Sequence, residues 1–212
     1  MKSLKELYRI GRGPSSSHTM GPDRAARRFG EEHPDAERFE VTLYGSLAKT
    51  GLGHMTDKAV KEALPDKPVK VHIDTVTEDL PHPNTMDFVA IKNNEVADKW
   101  RVMSIGGGAI RIEGKPYMDS PDFYKEKNFT EIKKYCEKHH LKLYEYVEQC
   151  EGPEIYNYLE DVWHHMKLSI KEGLSATGIL HGGLKLQRKA RYLYRQRHMD
   201  ESPSTRENRI VC

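Results

Sequence analysis

Cysteine is scarce in this chain. There are three, Cys136, Cys150 and Cys212, and no two lie within a few residues of each other. That spacing excludes a disulfide framework and a local zinc or cluster-binding motif, and leaves buried or half-buried free thiols as the expectation for Cys136 and Cys150. Long apolar runs are missing too: nothing approaches the roughly 20 residues of a membrane span. The opening MKSLKELYRIG has no apolar stretch of the signal-peptide kind. Excess charge of one sign is absent, with a formal net charge of +2, so no strong field draws nucleic acid or an anionic membrane. There is no internal repeat and no low-complexity segment. What remains is a globular profile, 37% hydrophobic and 31% charged over 212 residues, enough for one domain with a real core or one domain plus part of another. A cytoplasmic location is the default expectation.

Up to about residue 125 strand and helix signals interleave. Residues 39–45 alternate and end at Gly45, predicting a strand. Val69, Val71 and Ile73 alternate with Lys70, His72 and Asp74, the pattern of a strand with one wet face. Residues 86–91 read as a third strand, and Asn93-Asn94 as a tight hairpin turn. Residues 102–112 contain Gly106-Gly107-Gly108, which would break or bulge a strand. Helices are predicted over 22–29, with proline in the first turn, and up to Leu64 after a cap at Thr56 or Asp57.

Beyond Phe129 the pattern turns helical. Ile132, Tyr135 and Cys136 share a face, as do Leu143, Tyr146 and Val147. Ile155, Leu159, Val162, Trp163, Met166 and Ile170 form a stripe that Gly173 would close. Residues 184–197 read as a basic helix whose charges suit a solvated face or a domain contact better than an RNA site. Ser204-Thr205-Arg206-Glu207 fits a capping box ahead of Ile210 and Val211. The expectation is an α+β chain with antiparallel pairing. Its mixed α/β sheet domain spans 1–150 and a helical segment 151–212, the change falling between Glu148 and Pro153.

Three segments concentrate chemistry. The first, Gly13-Pro14-Ser15-Ser16-Ser17-His18-Thr19-Met20-Gly21-Pro22, sets hydroxyls and an imidazole before a helix start, where a small carboxylate would be favoured; the alternative is a helix cap with a surface histidine. The second runs from Gly45 to Asp57. It is a glycine-punctuated loop carrying Ser46, Lys49, Thr50 and His54, without the Gly-Lys-Ser/Thr order of a P-loop; it reads as a binding loop or a plain connection. The third is His82-Pro83-Asn84-Thr85-Met86, whose proline restrains the histidine before it; it holds either an acid–base imidazole or a solvated one. His139-His140, at a helix end, and His164-His165 lack metal-pair spacing.

These three segments resemble, in order, those of the iron–sulfur-dependent L-serine dehydratases of bacteria. So do Ser104-Ile105-Gly106-Gly107-Gly108, Glu151-Gly152-Pro153-Glu154, and Gly182-Gly183-Leu184 followed by Arg188-Lys189-Ala190. The resemblance implies a beta domain like the substrate-binding regulatory domain of some phosphoglycerate dehydrogenases, followed by the first helices of an alpha domain. It implies elimination of water from L-serine to give pyruvate and ammonia, with a [4Fe–4S] cluster whose open iron acts as Lewis acid on the serine hydroxyl. By the same resemblance His82 is the expected base and His54 a serine-binding or proton-handling residue, the two open to exchange. Ser16, Ser17, His18, Lys49 and Thr50 are expected to orient the substrate.

The family's cluster cysteines fall beyond residue 212, so no metal is expected on this chain and no turnover without the missing alpha domain or subunit. Besides L-serine, the expected partners are that alpha portion and further copies of the chain, with no nucleic acid and no membrane. The competing expectation is a serine-binding regulatory module without catalysis. Two departures from the family are local: His181 between Leu180 and Gly182, where proline is frequent, and Thr85, where glycine is common.

Overall fold

β-Strand alternation builds the first unit, Gly11–Ser120. On β1 (Arg38–Leu43) Phe39, Val41 and Leu43 turn to one side and are buried there. Across the ladder they meet Ala90, Phe88 and Met86 of β3 (Thr85–Lys92), all buried. The computed structural model describes residues 1–116, 122–180 and 185–196. Among these, β2 (Val69–Ile73), β4 (Glu95–Gly106) and β5 (Ala109–Ile112) complete a five-stranded sheet of order β2-β1-β3-β4-β5. The β1–β2 pair is parallel and every other pair antiparallel. The chain is α+β, as the alternating signals predict.

The turns follow from backbone chemistry. Asn93 and Asn94 both take positive φ, 53° and 61°, the type that matches strand twist in a two-residue hairpin. Residues 102–112 do not form one strand: Gly106, Gly107 and Gly108 all have positive φ, so the segment folds back as the β4–β5 turn, with a register shift at Ser104/Gly106.

A π-helical turn (Ser16–Met20) runs directly into α2 (Gly21–Glu32), whose buried face is Ala25, Ala26 and Phe29. Phe29 is the centre of the core. Its ring lies 5.6, 5.4 and 4.9 Å from those of Phe39, Phe88 and Trp100. α4 (Thr56–Ala63) adds Ala59, Val60 and Ala63. Its predicted side-chain cap is absent. Met55 holds the cap position in the left-handed region, and the Thr56 amide bonds Gly51 O. The loop predicted between β1 and α4 is half helical, since α3 occupies Gly45–Thr50. On the sheet face away from Phe29, Asp87 is buried and gripped by Arg101 at 2.8 and 2.9 Å, with the Tyr44 hydroxyl donating at 3.1 Å. Burial disfavours the Asp87 charge, but Arg101 and Lys99 outweigh it and hold its pKa below the usual carboxylate range.

The second unit joins Met1–Ile10 to the helical segment after residue 120. In it α5 (Phe129–His139) and α6 (Leu143–Glu151) pack on each other through Ile132, Cys136 and Tyr146. Cys136 is buried and Cys150 half-buried, both free thiols; Cys212 lies outside the described residues. α1 (Leu4–Leu7) is tied down by Glu151, which accepts from Ser3 Oγ, the Leu4 amide and Tyr124 OH, each at 2.7 Å. α7 spans Ile155–Ser175, two residues past the predicted stop at Gly173. The predicted basic helix is shorter. α8 covers Ala190–Gln196, since Lys185 has a positive φ and Gln187 forms a bridge with Ile179. Residues 181–184, Arg197, the predicted capping box at 204–207, Ile210 and Val211 lie outside the described residues. No helix among the described residues is long and apolar enough to cross a membrane.

Phe29→Ala is expected to cost about 3–5 kcal/mol, read as a lower urea midpoint, because its site cannot collapse around three aromatic neighbours. Glu151 gives a pH effect of definite sign. Burial works against its charge, but Tyr124, the Leu4 amide and Ser3 together hold its folded pKa below the usual range. Its contribution is complete above the unfolded value of about 4.3 and is lost as pH falls below that through the folded pKa. Acid denaturation of Glu151→Gln is therefore expected to be shallower below about pH 4.3; an unchanged profile would refute the assignment.

Candidate active site

The site begins with backbone constraints. Ser15 caps the π-helical turn, its Oγ accepting from the His18 amide at 3.2 Å. Buried Thr19 donates its hydroxyl to Arg12 O at 2.8 Å and also contacts Ser15 O, so the turn is locked from both sides. A Cβ on Gly21 would collide with Ser104 Oγ, which is why the β4 end can approach the start of α2.

β1 ends at Leu43, and Gly45 turns with φ +52°. A Cβ there would strike Pro83 O, and that carbonyl accepts the Ser46 amide at 2.8 Å. The His82–Asn84 turn is thereby fastened to the start of α3. Ser46 Oγ lies 3.0 Å from His18 Nε2. The His54 ring packs 4.6 Å from the His18 ring at 33°. The three histidine-bearing segments thus meet around Ser46: His18 directly, His54 through its contact with the His18 ring, and His82 through its neighbour Pro83.

The other expected residues separate. Ser17 Oγ bonds His18 Nδ1 at 2.9 Å. Ser16 and Lys49 are exposed, and Lys49 has no ion-pair partner among the described residues. The Thr50 hydroxyl is turned back onto Ser46 O at 2.8 Å, and its carbonyl accepts from His54 Nδ1 at 2.9 Å, so Thr50 orients His54. Residues that sequence reading passed over are Ser46 as the hub, and Asn84 and Ser104. Asn84 and Ser104 bond through Ser104 N–H to Asn84 O at 2.9 Å, yet leave Asn84 Oδ1 and Ser104 Oγ buried without partners. The Gly45-Ser46 pair after a strand was the available signal for the hub. Thr85 uses its hydroxyl to hold His82 O at 2.6 Å, giving the turn a tie that glycine would lack.

These bonds fix tautomers. A carbonyl only accepts, so His54 Nδ1 carries the hydrogen and a neutral His54 presents an Nε2 lone pair. A backbone amide only donates. His82 Nδ1 accepts from Asn84 N–H at 3.0 Å, so a neutral His82 presents Nε2–H. In their neutral forms one ring thus presents an acceptor at Nε2 and the other a donor. Burial, with the adjacent His54 second, lowers the His18 pKa below its usual value and favours its neutral form. Among the described residues no group of three His, Cys, Asp or Glu side chains comes together to hold a metal.

Fold and cluster together define an α+β domain that presents imidazoles and hydroxyls beside the end of a strand. Residues 3–81 match the family described as serine dehydratase beta chain. The L-serine dehydratase of Haemophilus influenzae is 30% identical over 262 positions, a match covering all of this chain and 58% of that protein. L-serine dehydratase 1 of Escherichia coli is 30% identical, covering 92% of this chain and 54% of its own length. A Mycobacterium bovis L-serine dehydratase reaches 50% identity over 64 residues, 27% of this chain and 14% of that protein. Residues 3–81 thus carry a serine dehydratase beta-chain domain, and the chain as a whole is similar to L-serine dehydratases. It spans about half the length of these first two relatives.

His54→Ala is expected to raise the His18 titration midpoint, followed by NMR across pH 4–8, because a neighbouring positive charge is removed. A midpoint that stays or falls would show the rings uncoupled. In the unsubstituted chain the His18 contribution to stability is complete above the unfolded value of about 6.5 and declines as pH drops from there towards the lowered folded value.

Proposed function

We propose that this chain is the beta-domain part of an L-serine dehydratase that eliminates water from L-serine, and that His54 is its base. The observation that carries the reading is the opposed tautomers of His54 and His82 around Ser46. The resemblance pointed to His82 as base; the hydrogen bonds favour the exchange. The His54 Nε2 lone pair takes the α-proton. His82 Nε2–H donates a hydrogen bond to an oxygen of the substrate, and the departing hydroxide takes up the proton that His54 removed, leaving as water and returning His54 to its neutral form. The aminoacrylate that remains isomerises to an imine, which water converts to pyruvate and ammonia.

Positioning falls to the hydroxyl-rich segments. Lys49 and Ser16, exposed and with side chains in no hydrogen bond or ion pair among the described residues, suit the serine carboxylate. Ser17 and His18 back the base, and Thr50 holds its ring. The [4Fe–4S] cluster implied by the resemblance does not fit the cysteines described on this chain. Cys136 is buried against Ile132 and Tyr146, and among the described residues no set of three metal-ligating side chains converges. We place the cluster, with its Lewis-acid help to the departing hydroxide, on the remainder of the enzyme. This chain alone is then inactive, works in the cytoplasm with that alpha portion, and self-associates.

The test supplies the chain with the remaining portion of an L-serine dehydratase under anaerobic iron–sulfur reconstitution. His54→Ala is expected to lower kcat at least ~100-fold, the usual scale for a lost general base. His82→Ala should lower it less. Full rate in both variants would overturn the reading; joined to tight L-serine binding by the chain alone in calorimetry, it would establish a regulatory module instead.

A further inference from the structure

Ser46 takes no part in the elimination, yet its hydroxyl is placed as a nucleophile's. Its Oγ lies 3.0 Å from His18 Nε2, and the other nitrogen of that ring, Nδ1, lies 2.9 Å from Ser17 Oγ and 3.4 Å from Ser15 Oγ. Serine, imidazole and a polar group behind the imidazole are the parts of an activated nucleophile. The backbone holds the hydroxyl in place. β1 ends at Leu43, Gly45 turns at φ +52°, and Ser46 stands at the start of α3 with its amide tied to Pro83 O at 2.8 Å. A strand, a sharp turn and a helix are a known way to present a reactive serine. Ser46 is half-buried, so a reagent can approach it.

The ring is suited to act as the base. Burial, with His54 second, favours neutral His18, the form that accepts a proton. His54, from the loop after α3, is the titratable group against the ring; its other neighbours, Ser15, Ser17 and Ser46, carry no charge. Hydroxyl partners leave the His18 tautomer open. The reactive one carries its hydrogen on Nδ1, donated to Ser17, and leaves the Nε2 lone pair to the Ser46 hydroxyl. The Ser46 carbonyl, which would call for a hydrogen on Nε2, is already filled by the Thr50 hydroxyl at 2.8 Å.

We propose that Ser46 is a nucleophile activated by His18, and that it takes a single acyl or phosphoryl group from an activated ester. Ser46 Oγ bonds to the electrophilic carbon or phosphorus while the hydroxyl proton passes to His18 Nε2. The bond to the leaving group breaks, the leaving group keeps the electron pair, and His18 then releases the proton to solvent. The step involves neither L-serine nor a cluster, so it stands or falls separately from the elimination.

An alkyl fluorophosphonate, which loses fluoride in this step, tests it on the full chain alone. Peptide mass spectrometry is expected to find one phosphonyl group per chain, on Ser46. His18→Ala should slow the labelling at least ~100-fold, the scale of a lost general base. From about pH 4 to about pH 9 the rate should rise through one titration and level off once His18 is neutral. In His54→Ala that midpoint should move up, because the neighbouring charge that lowers it is gone. This profile keeps the test decisive if circular dichroism shows that His18→Ala does not fold. Absence of label, label on Ser15, Ser17 or a histidine instead, full-rate labelling of a folded His18→Ala, or a rate that climbs with hydroxide across the whole range, as for a free serine, would overturn the proposal.

Discussion

Everything at the candidate site depends on one close approach, the packing of the Gly45 backbone against the Pro83 carbonyl. No side chain can stand between them, and the amide of Ser46 converts the approach into a hydrogen bond. The same residue then reaches His18 with its hydroxyl and Thr50 with its carbonyl. Upstream, Tyr44 anchors the turn to the sheet by donating its amide to Thr85 O and its hydroxyl to Asp87, itself held by Arg101. The imidazoles thus hang from a rigid strand end rather than from a free loop, which is how a fold limits the motion of groups that must meet a reacting atom.

Backbone groups also decide what each imidazole can do. Side-chain partners of histidine leave its tautomer open, since hydroxyls both donate and accept; His18, between Ser17 and Ser46, is in that position. His54 and His82 are not. One faces a carbonyl and the other an amide, and neither partner can change its role. Main-chain geometry therefore sets which ring nitrogen of each carries the hydrogen, outside the reach of residue types or spacing.

That difference explains what was legible in the sequence. The strands were readable because Phe39, Val41 and Leu43 alternate and Asn93-Asn94 can enter the left-handed region without strain. The three chemical segments were readable as residue types. Their convergence was not, since it rests on contacts such as Ser46 with Pro83 between residues 37 apart. Local helix was missed at Ser16–Met20 and Gly45–Thr50 because glycine and serine suggest loops, while packing of Thr19, Leu47 and Ala48 overrides that propensity. The division into two compact units was not legible because α5 and α6 carry few buried residues. Their apolar stripe does not reveal which neighbour covers it.

The neighbouring His18 sharpens the reading of His54. Two imidazolium charges about 4.6 Å apart repel by about 1 kcal/mol in water and about 4 kcal/mol at an effective dielectric near 20. A half-buried pair lies between these limits, so a charge on one ring disfavours a charge on the other. Burial favours the neutral form of His18. Once His54 is charged, a neutral His18 bonded to Ser46 and Ser17 offers polarisable hydroxyls beside it rather than a second cation. The serines of the first segment would then serve less as direct ligands than as the reason a base can stand next to another histidine and keep its lone pair available.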